Sequence, residues 1–287
     1  IAVIGASTTL GTVGNSLTAN LLKNGYTGSV YPVNPKTDTL FDLTCYKNIT
    51  AIPHDVEVAI IIIPAQAVPQ ALREAGEKGV RGAIIISSGF KETGATGKAL
   101  EDEVAAIARD CDIALLGPNC LGFLNPAIGL NASFATRMPQ SGEIAFFSQS
   151  GALCTALLDL GGDDLGFSYF VSTGNKSVIG ENELLRFFAE DERVKLLSFY
   201  SEGLRDSEKL IETGRALLAR AESKPVIALK SGVTLAGTAA SSSHTGALAG
   251  SDAAYQALFK QARMIRAESL EHLLDLPGAE PLHGQQA

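Results

Sequence analysis

The chain lacks the features that would tie it to a metal, a membrane or a polyanion. Its four cysteines, Cys45, Cys111, Cys120 and Cys154, form no CxxC pair, which argues against a zinc site and, in a chain of this size, against a disulfide framework. Reduced thiols and a cytoplasmic location are therefore expected, with no metal ligands. No apolar run approaches the ~18 residues that a membrane-spanning helix requires, although hydrophobic residues make up 46% of the chain. Basic excess is missing as well. A formal net charge of −8 argues against nucleic acid or an anionic membrane as the main partner, so an anionic small molecule has to be held by a local site. No initiator methionine, signal sequence or transit peptide precedes Ile1, and the expectation is a piece trimmed from a longer protein.

What is present is a long alternation of strand and helix patterns. With 287 residues, two domains are the first expectation, since one domain typically takes about 100–200. The apolar run Ile1–Ile4 leads into a Gly-rich turn, Gly5-Ala6-Ser7-Thr8-Thr9-Leu10-Gly11-Thr12-Val13-Gly14, and then a helix over Ser16–Lys23. Such a turn lets backbone N–H groups approach a pyrophosphate, and the helix N-terminus adds partial positive charge. Further strands are expected at Ser29–Val33, Val58–Ile63, Gly82–Ile86 and Ile113–Leu116, with helices at Ala65–Lys78 and Gly97–Arg109. Short, fully apolar strands alternating with helices imply a parallel sheet covered on both faces.

The dinucleotide fingerprint GxGxxG is absent, and so is the acid that an NAD site places at the end of strand two. That strand ends Tyr31-Pro32-Val33-Asn34-Pro35-Lys36. Lys36 suits an extra ribose phosphate, as in CoA or NADP; a solvated lysine after a Pro turn is the plain alternative. Ser87-Ser88-Gly89-Phe90 and Gly117-Pro118-Asn119-Cys120 follow later strands, at the carboxyl edge where open α/β sheets bind ligands.

An aperiodic stretch from Asn125 to Gln140 separates the halves, and the division is placed at 128/129. A new strand then ends in Ser148-Gln149-Ser150-Gly151-Ala152 before an apolar helix. This repeats the strand, Gly turn, helix logic of a phosphate site, while simple capping by Ser148 or Ser150 explains the same residues. Strands at Phe167–Ser172, Lys195–Tyr200 and Pro225–Lys230 are expected, with helices at Glu181–Ala189, Ser207–Ala221 and Asp252–Gln261. Glu202 follows one of these strands, where a carboxylate can orient an imidazole; an exposed loop glutamate is the alternative. Cys120 has no paired base nearby in sequence, so a buried structural thiol is favoured over a nucleophile. The decapeptide Ser241–Gly250 sets His244 among hydroxyls and glycines. Either the ring faces a ligand, or Ser243 or Thr245 caps a helix and His244 is incidental.

Together, GAS…VNPK, SSGFKE, GPNCLG, SQSGAL, STGN, SEGL and SSHTGALAGSD resemble the NDP-forming acyl-CoA synthetases over nearly the whole chain. The likeness is to the CoA-binding and phosphohistidine part of ADP-forming acetate–CoA ligase and, more distantly, to the α subunit of succinyl-CoA synthetase. The resemblance implies an α/β chain with a Rossmann-like CoA-binding domain at 1–128. A flavodoxin-like, succinyl-CoA synthetase-like doubly wound domain follows at 129–287. It implies CoA near Gly5, Ser7, Thr8, Gly14, Asn34, Pro35, Lys36, Ser87 and Gly89, with the pantetheine directed toward Asn119 and Cys120. His244 would carry phosphate, Glu202 would hold its tautomer, and Ser150, Gly151 and Ala152 would bind the phosphoryl group. ATP or ADP with Mg would sit on a partner ATP-grasp domain or subunit, the other substrates being a small carboxylic acid and phosphate, in an expected oligomer. The alternative is a CoA-binding regulatory module of a protein lysine acetyltransferase, whose relatives commonly lack the phosphoryl histidine. One departure is plain: many relatives carry an acid shortly after the Gly-Asn of STGN, whereas here Asn175 is followed by Lys176-Ser177-Val178-Ile179.

Overall fold

The computed structural model describes residues 1–160, 165–220, 222–231 and 252–275. Its first half runs β1 (Ala2–Ile4), α1 (Val13–Lys23), β2 (Tyr31–Val33), the short strands β3 (Thr39–Leu40) and β4 (Leu43–Thr44), β5 (Val58–Ile61), α2 (Val68–Glu77), β6 (Gly82–Ile85), α3 (Ala95–Asp110) and β7 (Ala114–Leu116). The second half continues through β8 (Gly122–Asn125), β9 (Leu130–Ser133), β10 (Gln140–Ser148), α4 (Gly151–Leu160), β11 (Gly166–Ser172), α5 (Glu181–Glu190), β12 (Leu196–Ser201), α6 (Ser207–Leu218) and β13 (Val226–Lys230). Beyond it come α7 (Asp252–Gln261), β14 (Ile265–Ala267) and α8 (Leu270–Asp275). No helix among the described residues is long and apolar enough to cross a membrane.

Two sheets carry the chain, ordered β2-β1-β5-β6-β7 and β14-β13-β12-β10-β11-β8-β9. The first is parallel throughout. In the second, β10 to β14 are parallel and the β8–β9 hairpin joins antiparallel at the β11 edge. Setting the hairpins aside, each sheet has the doubly wound order 2-1-3-4-5, whose strand order reverses beside its first strand. In the first sheet that reversal lies between β1 and β5, and in the second between β10 and β12. A crevice therefore opens at the carboxyl ends of both pairs.

Burial explains why the apolar runs become strands. Ala2, Val3, Ala59, Ile60 and Ile61 are wholly or almost wholly buried, as strands covered on both faces require. Helices show the complementary stripe: α1 buries Gly14, Leu17, Thr18 and Leu21, and its first turn is capped by Thr12, whose hydroxyl accepts from Asn15 N–H at 3.3 Å. In the second sheet Phe147 of β10 stacks on Phe199 of β12, rings 5.1 Å apart, which locks the two strands that flank the crevice.

Two strand pairs depart from the sequence expectation. Phe41 and Asp42, both at positive φ (52° and 59°), make the tight turn between β3 and β4, a conformation usually signalled by Asn-Gly or Asp-Gly. The stretch 125–140, read as an aperiodic connection, contains β9, reached through the turn Pro126–Ile128 and the left-handed Gly129. The β8–β9 hairpin straddles position 128/129 and belongs wholly to the second sheet. It also ties the halves together, because buried Asn20 of α1 donates to the carbonyls of Ser133 and Ala135 at 2.8 and 2.7 Å.

Candidate active site

The carboxyl edges of the two sheets face each other through hydrogen-bonded loops. Asn175 N–H donates to the Pro118 carbonyl (2.8 Å) and Ser177 N–H to that of Gly117 (3.0 Å), while Leu121 N–H donates to Ser172 Oγ (3.0 Å). Between the edges lies a cleft of about 710 Å³. Ile62, Ile86, Ser87, Asn119 and Cys120 line it from the first sheet, and Ser150, Gly151, Ala152, Asn175 and Glu202 from the second. One end thus presents Ile62 and Ile86 with a thiol, an amide and a hydroxyl; the other is a helix N-terminus beside a carboxylate.

At the helix end, Ser148–Ala152 combines serine capping with backbone donors left open. Ser150 is a cap, its Oγ accepting from Leu153 N–H at 3.2 Å, and Ser148 Oγ accepts from Ser150 N–H at 3.0 Å. The N–H groups of Gly151 and Ala152 have no hydrogen-bond partner among the described residues and border the cleft. Two free donors at the positive end of a ten-residue helix suit a phosphate.

Glu202 is held next to that helix by its backbone. Gln149 Oε1 accepts from the N–H groups of both Glu202 (2.9 Å) and Gly203 (3.2 Å), and Gln149 N–H itself donates to the Tyr200 carbonyl at 3.0 Å. The sequence reading missed Gln149, since a glutamine between two serines carries no signal until its loop partner is known.

Toward the first sheet the expected residues divide. Cys120 is 4% exposed and its S–H donates to the Ile85 carbonyl at 3.3 Å; burial pushes the thiol pKa up to about 12. It lines the cleft as a neutral thiol. Ser87 spends its hydroxyl on the end of β5, accepting from Ile63 N–H at 3.1 Å. Gly89, at φ 107°, gives its N–H to Glu92 Oε1 at 2.6 Å. Gly5, Ser7, Thr8, Gly14, Asn34, Pro35 and Lys36 lie along the same edge, following β1 and β2, but do not border the cleft. Asn34 joins that group: its Nδ2 donates to the Ala6 carbonyl at 2.9 Å and its Oδ1 accepts from Lys36 N–H at 2.9 Å. Lys36 is exposed. His244, expected to carry phosphate, lies outside the described residues.

The floor of the cleft is a polar network that sequence inspection did not assemble. Asn175 Nδ2 donates to Glu92 Oε2 and Glu101 Oε2, each at 2.7 Å, and Lys91 Nζ lies 3.4 Å from Glu101 Oε1. Burial works to raise the Glu92 pKa, but hydrogen bonds from Asn175, Gly89 and Phe90 outweigh it and hold the carboxyl below its ordinary range. An ionised Glu92 thus fixes Asn175, and Asn119 Nδ2 reaches Asn175 Oδ1 at 3.4 Å.

Residues 1–126 match the CoA binding domain family, and residues 141–279 the succinyl-CoA ligase like flavodoxin domain. Acetate–CoA ligase [ADP-forming] of Methanocaldococcus jannaschii is 44% identical over 277 residues, covering 96% of this chain and 38% of that protein. The chain joins a CoA binding domain to a succinyl-CoA ligase like flavodoxin domain. Among other relatives, the α subunit of acetate–CoA ligase [ADP-forming] II from Pyrococcus furiosus is 40% identical, covering 97% of this chain and 60% of that subunit. The dinucleotide forming acetyl-coenzyme A synthetase 1 of Ca. Korarchaeum cryptofilum, solved with phosphate and ADP, superimposes with a TM-score of 0.89 at 38% identity, over 96% of this chain and 59% of that one. The chain therefore spans between 38% and 60% of the length of these relatives.

Proposed function

We propose that this chain is the CoA-binding and phosphohistidine portion of an NDP-forming acyl-CoA synthetase. The overall reaction is acyl-CoA + ADP + phosphate ⇌ carboxylic acid + CoA + ATP. The observation that carries the reading is the single cleft in which the open N-terminus of α4 and Glu202 meet the Asn119–Cys120 end of the first sheet.

Phosphate held by the Gly151 and Ala152 N–H groups attacks the thioester carbonyl, giving acyl phosphate and releasing CoA as its thiol. A neutral His244 imidazole then takes the phosphoryl group, the acyl carboxylate leaving. Transfer from that imidazole to ADP regenerates the ring. Glu202 fixes the tautomer that leaves one ring nitrogen free to attack, and the α4 N-terminus offsets the charge developing on the phosphoryl oxygens. Cys120, neutral and buried, lines the thiol end without acting as a nucleophile.

The nucleotide and its Mg belong to an ATP-grasp portion, and the relatives frame the choice of where it sits. One of those named above is called a subunit alpha, while another, of which this chain covers 38%, carries no subunit designation. An oligomer and a cytoplasmic location complete the proposal. The protein lysine acetyltransferase alternative gains no support from these relatives, which bear ligase and synthetase names.

The decisive test is radiolabelled ATP given to the protein together with its nucleotide-binding portion. Acid-labile label is expected on His244 and absent from His244→Ala; label that persists in the variant overturns the reading. A second expectation concerns Lys36, exposed at the β2 end beside the Gly-rich turn. Lys36→Glu should weaken CoA by roughly 3–10-fold, about 0.7–1.4 kcal/mol, and dephospho-CoA by far less. Calorimetric titration of both ligands checks it, and equal weakening places Lys36 away from the ribose phosphate.

A further inference from the structure

We propose that Lys176 is a positioning residue for Glu202, acting through a buried ion pair with Glu181 that pins both sides of the Glu202 turn. The proposal rests on the role given above to Glu202.

Lys176 stands just after the Gly-Asn of STGN, where the sequence departs from many relatives, and it is 4% exposed at φ 57°. From that left-handed turn the side chain reaches the carboxyl end of β12. The ammonium donates to Glu181 Oε1, to Ser201 Oγ at 3.3 Å and to the Gly203 carbonyl at 2.6 Å, so all three of its protons are used. Ser201 Oγ is shared by the same group, lying 2.8 Å from Glu181 Oε1 and 3.4 Å from Gln149 Oε1. Arg205 in turn donates to the carbonyls of Lys176 and Val178. The residues before and after Glu202 are therefore tied to one buried cation, and its own N–H is tied to Gln149.

Stability alone does not account for this arrangement, because a buried ion pair is often matched or bettered by well-packed apolar residues of similar volume. What an apolar pair lacks is the ammonium that bridges Ser201 Oγ and the Gly203 carbonyl, leaving that carbonyl only the Ser201 hydroxyl at 3.0 Å. The ion pair thus sets the height and tilt at which the Glu202 carboxylate meets the cleft, without itself touching the substrate.

The test uses the protein with its nucleotide-binding portion and compares Lys176→Met/Glu181→Leu with Glu202→Gln and wild type. The double variant removes both charges together, so no lone buried charge remains. It is expected to keep its unfolding temperature within a few degrees and its KM for CoA, while labelling of His244 slows roughly 10–100-fold, the scale of an ångström-level misplacement. Wild-type labelling by the folded double variant overturns the proposal. Wild-type labelling by Glu202→Gln overturns instead the role of Glu202 on which it rests. If the double variant does not fold, Ser201→Ala decides: slower labelling at unchanged KM for CoA supports the positioning role, and wild-type labelling overturns it.

Discussion

Glu202→Gln is expected to slow phosphoryl transfer to His244 by roughly 10²–10⁴-fold, the range associated with a positioned acid–base group, while leaving the KM for CoA close to wild type. The substitution preserves shape and hydrogen-bonding reach but removes the charge. A carboxylate accepts only, so it selects the imidazole tautomer whose N–H faces it; an amide offers both a donor and an acceptor and selects neither. It also withdraws the negative charge that stabilises a positively charged ring at the moment of transfer. The backbone of residue 202 is fixed independently of the side chain, through Gln149 Oε1, so the loop should stay in place when the charge goes. Rapid-quench labelling with radioactive ATP measures the transfer step, and CoA titration measures the first domain separately. A transfer rate within a few-fold of wild type would remove Glu202 from the mechanism.

The sequence made the strand ends legible and their cross-links not. Glu202, Asn119 and Ser150 could be placed because each follows a short apolar run, and a parallel strand order sends such positions to one edge. The pairing of the two edges is decided by contacts distant in sequence, such as Asn175 with Glu92 and Glu101, which no local pattern carries. Lys176 shows the limit most clearly. The sequence marks it only as a departure after Gly-Asn, and the left-handed turn at that position and the path of α5 bring it to Glu181. The β3–β4 turn was missed for a related reason: Phe41 and Asp42 adopt positive φ without the glycine that usually announces it. At Ser150 the local capping reading is met, since its hydroxyl accepts from Leu153 N–H while the neighbouring Gly151 and Ala152 border the cleft.

The duplicated strand order gives those cross-links their purpose. Opposing the β1/β5 and β10/β12 reversals across hydrogen-bonded loops brings Ile62, which follows β5, and Glu202, which follows β12, to one cleft. The aperiodic stretch before β10 contributes directly, because the β8–β9 hairpin binds to the second sheet while receiving Asn20 from the first half. Relative orientation of the two edges therefore depends on a segment whose composition advertises neither sheet.

Gly5→Ala is expected to destabilise the chain by about 2–6 kcal/mol, a large share of the about 5–15 kcal/mol typical of a folded protein. Gly5 sits at φ 96°, where a side chain costs about 1–3 kcal/mol in backbone strain. An added Cβ would also stand 2.1 Å from the Ile62 carbonyl oxygen, and because that atom is backbone no rotamer change relieves the overlap, adding about 1–3 kcal/mol. Relief requires the Gly-rich turn and the end of β5 to move apart, next to Ile62, which lines the cleft. Two controls separate the causes. Gly11 has φ 81° with nothing within 4 Å of its added Cβ, so Gly11→Ala carries only the conformational part. Gly151 is not at positive φ, and its nearest neighbour would be 3.7 Å away, so Gly151→Ala should fold as wild type. Denaturant unfolding of the three variants is expected to rank them Gly5→Ala far below Gly11→Ala, with Gly151→Ala unchanged. A Gly5→Ala midpoint equal to that of Gly11→Ala would mean that β5 yields freely and that the Gly-rich turn does not set the width of the crevice.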